Sequence, residues 1–220
     1  MNFFTTTQPI AKEGWKSIAF IGVICIVSWL FSFMTWFFLL LLAGTLFLYR
    51  NPERIALEED DHAIIAPIDG IVRSIEKVTA HDGKKWLKVI MQKGLFDVGV
   101  VRSPMDISLI DVIKKEGLPL SSDSSLSPTL RTKMVFVFQK KVDEIRMVLY
   151  AGAYSQMIST SLKRGRFKVS ERLAFLAEGD VGLLLPLDAR IKVVLNDEVR
   201  AGESVLGYLA HKKVTHEQQS

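Results

Sequence analysis

The stretch "LAEGDVGLLLP", residues 176 to 186, sets two carboxylates, Glu178 and Asp180, around Gly179, just before an apolar run that ends at Pro186. A third acid, Asp69, stands far upstream in "APIDGIV", and Arg102 stands in "FDVGVVRSP". Clustered carboxylates can transfer protons when burial drives their pKa values apart. A guanidinium can grip a phosphate or carboxylate through paired hydrogen bonds, although Arg102 serves equally as one half of a structural salt bridge. Asp69 also has two readings, because Asp-Gly is an ordinary turn pair. The serines of "SSDSSLSPT", Ser121 to Thr129, sit in a small, polar, proline-closed stretch that reads as a flexible loop rather than a set of nucleophiles. His62, His81, His211 and His216 read as surface groups, and their spacing forms no metal-ligand pattern, so no metal is expected.

The elements that must position these residues divide sharply by composition. From Ser17 to Tyr49 the chain has no charged side chain, which places this run in lipid. As one helix it would be about 50 Å long, against a hydrocarbon core of roughly 30 Å. The polar interruption "SFMT", Ser32 to Thr35, splits it into two pieces, so a transmembrane helical hairpin with both ends on one side is expected. Lys12 and Lys16 before it and Arg50 and Arg54 after it favour the cytoplasmic face. The run is too long for a cleaved signal peptide and lacks a small-residue cleavage site. Cys25, the single cysteine, lies inside it, which excludes an intrachain disulfide and a cysteine-based metal site.

After "YRNPER" and the acidic "LEEDDH", short runs of Val, Ile, Leu and Phe alternate with Gly, Pro, Asp and Asn, from "AIIAPIDGIVRSIEKV" to "SVLGYLA". This pattern predicts a mainly β domain. "APIDGIVRSI" and "LPLDARIKVVLNDEVRAGESVLGYL" both set Pro-x-Asp before an apolar strand, and the second adds turns at Asn196-Asp197 and Ala201-Gly202 with Val199 inward. That rhythm resembles the modules that carry biotin or lipoate, which suggests a barrel-sandwich hybrid. The carried lysine is missing from the hairpin tip, since Lys192 precedes the turn. One helix or turn is expected in "AYSQMISTSLKRG", with Gly165 as a C-cap. The organisation is therefore a tail at 1–16, a membrane hairpin at 17–49, a linker at 50–62, a β domain at 63–210 and a polar tail at 211–220.

Lys and Arg exceed Asp and Glu by 28 to 24. The basic residues are dispersed among acids without aromatic interleaving, which argues against a nucleic-acid partner. The local groups at Lys84, Lys85 and Lys88 and at Lys163, Arg164, Arg166 and Lys168 read as solvated strand faces, or as contacts to anionic lipid beside an anchor.

In order, "LYRNPER", "APIDGIV", "FDVGVVRSP", "GAYSQMI", "LLLP" and "NDEVRAGESVLG" resemble the phosphatidylserine decarboxylases, particularly the short, hairpin-anchored kind, over essentially the whole chain. The resemblance implies an enzyme that makes a pyruvoyl cofactor by self-cleavage at a Gly-Ser pair, assisted by an Asp and a His, and uses that ketone as an electron sink for decarboxylation. Asp69 matches the family's Asp. Gly99 stands in place of the His and Val101 in place of an Asn, so the general base is missing. Counting back from Pro186 puts Glu178 at the family's Gly and Gly179 at its Ser, and sliding by one offers Asp180. No serine lies between Ser170 and Ser204, so neither alignment supplies a pyruvoyl precursor and no cofactor is expected.

These departures imply a membrane-bound, non-processing relative that binds phospholipid, such as phosphatidylserine, or regulates its metabolism, with Arg102 near the substrate pocket. Two alternatives stand beside it. One is an active decarboxylase working through Glu178, Asp180 and Asp69. The other is an accessory subunit, self-associating or paired with an active homologue.

Overall fold

The computed structural model describes residues 9–31, 34–54, 60–80, 83–118, 120, 130–153, 158–160, 162 and 164–210. A 3-10 turn at Lys12–Gly14 leads into α1 (Trp15–Leu30), and α2 (Thr35–Leu48) follows. The ends of the two helices are joined by contact at both levels. Thr35 Oγ1 donates to Ser28 O at 3.3 Å, and the Ala11 amide donates to Tyr49 O at 2.8 Å. Both helices leave large apolar side chains uncovered: Phe31 is 78% exposed, Leu40 74% and Trp36 86%.

The remainder is mainly β. In chain order the strands are β1 (Ala63–Ile65), β2 (Gly70–Thr79), β3 (Lys85–Lys93), β4 (Val100–Arg102), β5 (Ile107–Lys115), β6 (Lys133–Lys140) and β7 (Asp143–Ala151). There follow β8 (Ile158–Ser159), β9 (Gly165–Phe167), β10 (Arg172–Leu176), β11 (Gly179–Leu185), β12 (Arg190–Ile191), β13 (Glu198–Val199) and β14 (Val205–Tyr208). One large sheet has the order β13-β2-β3-β11-β7-β6-β5-β9, and two small ones have the orders β4-β10-β8 and β1-β14-β12.

Period-two alternation builds the core. Met134, Phe136 and Phe138 of β6 point inward opposite Leu149, Met147 and Ile145 of β7, and the two phenylalanine rings stack with centroids 6.0 Å apart. Burial of each such side chain contributes about 1.5–3 kcal/mol. β11 lies centrally between β3 and β7, where Val181, Leu183 and Leu185 are fully enclosed.

The turns expected at Asn196-Asp197 and at Ala201-Gly202 are present, with Asn196 and Gly202 at positive φ and Val199 buried. The helix expected over 153–165 is corrected. Residues 154–157, 161 and 163 lie outside the described set, but Ile158–Ser159 forms β8 against β10, and Gly165 begins β9 against Leu109 of β5. Long-range strand pairing overrides the local helical spacing there. The expected loop at Ser121 to Thr129 lies outside the described residues, as do His81, His211 and His216.

The helices are tied to the β domain at one end. Glu13 forms an ion pair with Arg172 of β10, and the Tyr49 ring stacks on Phe175 of β10 at 5.4 Å with 21° between planes.

Candidate functional site

The sheet register gathers most of the residues singled out from sequence. Asp69 immediately precedes β2, whose first residues pair with the end of β3, and Lys93 at that end pairs with Gly179 at the start of β11. The two-residue turn of Ala177 and Glu178 joins β10 to β11, and Gly99 accepts the Leu176 amide at 2.8 Å. Asp69, Gly99 and Gly179 are thus brought into one neighbourhood by strands far apart in sequence.

Gly179 has φ +142°, and a Cβ there would sit 2.0 Å from Tyr150 O. Any side chain at this position would have to displace a β7 carbonyl already held in the ladder. The adjoining Asp180 forms a buried ion pair with Arg131. Arg131 also donates through Nε to Ala151 O at 2.8 Å and lies 5.8 Å from the Tyr150 ring. Buried charges persist only when paired and hydrogen-bonded, which this arrangement achieves.

Gly99 has a different neighbour. A Cβ added to it would meet the Phe175 ring at 2.6 Å and Leu176 O at 3.0 Å. Phe175 is 2% exposed and packs among Ala11, Val98, Val100 and Tyr49, so the volume beside Gly99 is filled with aromatic carbon. Val101 is fully buried in the main core.

Asp69 is held by Arg54, one carboxylate oxygen taking Nη1 and the other taking Nη2 at 2.7 Å. It also accepts the Ala201 amide at 2.8 Å, while Arg54 donates to Ala201 O at 3.1 Å. The acid therefore links the linker, the entry to β2 and the turn before β14. Asp69 and Asp180 do not form a carboxylate pair, since each faces its own arginine.

Arg102 is buried, and its guanidinium donates to Ser170 O at 3.0 Å, Asn51 Oδ1 at 3.0 Å and Pro52 O at 2.8 Å. Burial, and next the nearby Arg54 charge, push its pKa below the usual arginine value. These contacts clamp the linker after α2 to the loop before β10. They commit three of the five N–H donors of Arg102 to the fold.

Sequence reasoning missed Lys93. Its side chain is among the largest fully buried ones, with Nζ donating to Ala177 O at 2.7 Å and Gly94 O at 2.6 Å. Burial pushes the amine down to about 8 from an ordinary 10.5, opposed by the Asp97 and Asp69 charges. The signal was available: Val89, Met91 and Lys93 occupy alternate positions of β3, so a lysine stands on the inward face. Lys93 fastens one side of the Ala177–Glu178 turn, and the Gly152 amide fastens the other by donating to Glu178 O at 2.9 Å. The arrangement can hold this turn rigidly and can place an amine of lowered pKa near Asp69 and Glu178.

Residues 42–207 match the family model described as phosphatidylserine decarboxylase. The chain is similar to the phosphatidylserine decarboxylase proenzyme of Desulfotalea psychrophila, with 31% identity over 208 residues, covering 91% of this chain and 97% of that protein. It is also similar to the phosphatidylserine decarboxylase proenzyme of Geobacter sulfurreducens, with 29% identity, 91% of this chain and 97% of that protein.

Proposed function

Because this chain belongs to the phosphatidylserine decarboxylase family, we propose that it is a non-processing member, anchored in the membrane by a helical hairpin, that binds phospholipid at the cytoplasmic face without decarboxylating it. The observation that carries this reading is at Gly179, which has neither a β-heteroatom nor room for a Cβ beside Tyr150 O. A pyruvoyl group arises from a β-hydroxyl or thiol residue by acyl shift and elimination, so the residues here do not fit one, and the shifted alternative Asp180 is engaged with Arg131. Phe175 fills the space where a proton-transferring side chain at position 99 would have to stand.

Support for the anchor comes from the apolar run Ser17 to Tyr49 and from the uncovered helix surfaces, which lose little in lipid and would be costly in water. The span Lys12–Leu30 is long and apolar enough to cross a bilayer, whereas Thr35–Leu48 is shorter and would need local thinning or snorkelling at its ends. The β domain is read as a barrel-sandwich hybrid on the strength of its repeated Pro-x-Asp strand entries.

A second reading is favoured by Lys93. An amine with pKa about 8 near Asp69 and Glu178 is a candidate proton carrier for an unconventional decarboxylase. The intact mass of the purified full-length chain, followed by a carbon dioxide release assay on phosphatidylserine, separates the readings. One full-length mass without turnover is expected. Cleavage near Gly179 overturns the proposal, and a full-length mass with turnover favours the second reading.

A further inference from the structure

The loop that follows β3 carries two apolar side chains that the fold leaves uncovered. In the tight turn from Gly94 to Asp97, Asp97 Oδ2 accepts the Gly94 amide at 2.8 Å and Gly94 O accepts Lys93 Nζ at 2.6 Å. The turn is thus held from within and from the buried end of β3, while Leu95 stays 40% exposed and Phe96 68% exposed. Turn centres ordinarily take Gly, Pro, Asn, Asp or Ser, each for a backbone reason. Leucine and phenylalanine supply neither a capping hydrogen bond nor a positive φ. One exposed apolar residue is ordinary on a protein surface, but two side by side at the tip of a clamped turn call for a contact outside the fold.

The position of the turn says what that contact is. Val98, two residues on, is buried with Ala11, Val100 and Phe175, and Tyr49 packs against the same group. Ala11 immediately precedes the 3-10 turn into α1, and Tyr49 ends α2. At no more than about 3.6 Å per residue, the Phe96 Cα lies within about 7 Å of the Val98 Cα. The apolar tip therefore sits close to the level at which both helices leave the β domain. Exposed Trp15 at the start of α1, with exposed Lys12 and Lys16 beside it, supplies the aromatic and basic groups that favour a bilayer surface. A turn already held by hydrogen bonds enters that layer with little ordering cost. We propose that Leu95 and Phe96 insert into the boundary between headgroups and acyl chains of the bilayer that holds the helices, giving the β domain its own lipid contact. The proposal rests on the anchored reading above and adds the orientation of the domain. The end bearing Lys93 and Gly179 faces the bilayer. The β6 to β7 turn at Val142 lies in water, roughly 27 Å along β7 from the residue that pairs with Gly179.

Spin labels on the full-length chain test it, in nanodiscs of phosphatidylcholine and phosphatidylglycerol. Cys25→Ser removes the native thiol, and Phe96→Cys, Val142→Cys and Leu40→Cys each carry one nitroxide at a side chain exposed in the fold. Collision with oxygen, which concentrates in lipid, is compared with collision with a water-soluble nickel chelate. The ratio of oxygen to nickel collisions at position 96 is expected to exceed that at 142 by roughly fivefold or more, as for a group some 5–10 Å inside the boundary against one in water. Leu95→Glu should bring the ratio at 96 down toward that at 142. Equal ratios at 96 and 142, with the label at 40 in lipid, overturn the turn contact and leave the anchor standing. A label at 40 that meets the nickel chelate freely overturns both. Exclusion of oxygen and nickel together at 96 means a protein surface covers the turn and overturns lipid as its occupant. An undiminished ratio at 96 in the Leu95→Glu chain means that the label alone seeks lipid, and it likewise overturns the proposal.

Discussion

Replacing Lys93 with methionine removes a buried amine while keeping a flexible chain of similar length in the β3 position. In the folded chain the amine titrates at about 8, against 10.5 for an ordinary lysine. The folded value is the lower one, so between these two pH values the unfolded chain binds more protons than the folded chain, and stability rises with pH. From pH 7 to pH 10 these values give the wild type a gain of about 2.5 kcal/mol from this group alone. At either pH the methionine variant leaves Ala177 O and Gly94 O without the amine, each loss costing about 1–3 kcal/mol. That penalty changes little with pH, and other titrating groups are common to both proteins. Urea unfolding of the full-length chain in detergent, followed by circular dichroism at pH 7, 8, 9 and 10, supplies the comparison. The wild-type advantage over Lys93→Met should widen by about 2.5 kcal/mol across the series. Parallel profiles for the two proteins would refute a lowered Lys93 pKa and with it the buried placement of the amine.

Further outcomes follow from the same contacts. Phe175→Ala should destabilise the β domain by about 3–5 kcal/mol, read by urea unfolding, because the ring fills the space beside Gly99 and stacks on Tyr49. Gly99→His should lower stability by about 1–3 kcal/mol through overpacking against Phe175, and its intact mass should show no chain cleavage. Asp180→Leu should cost about 3–5 kcal/mol by leaving Arg131 buried and uncompensated, whereas the double variant with Arg131→Met should lose less than the two single losses combined. Asp69→Asn should weaken the Arg54 clamp by about 1.5–3 kcal/mol, measured the same way.

Much of the architecture was legible because it rests on short-range rules. An uncharged run cannot be confused with a solvated strand, and alternating Val, Ile and Phe bounded by Gly, Pro and Asn specifies strands and their turns. The ordered fragments from "LYRNPER" to "NDEVRAGESVLG" carried the family. The segment at 153–165 misled because small and apolar residues at helical spacing state only a local preference, while β8 and β9 are fixed by partners more than ten residues away.

By itself the sequence determined the residue types: no hydroxyl lies between Ser170 and Ser204, and position 99 is a glycine. Only the tertiary structure decided what surrounds these positions. Phe175 reaches Gly99 from another strand, Tyr150 O closes on Gly179 from β7, Arg131 finds Asp180 and Arg54 finds Asp69. Residue types are a property of the chain, but space and charge compensation are properties of packing, and packing brings together groups whose sequence separation carries no mark of their contact.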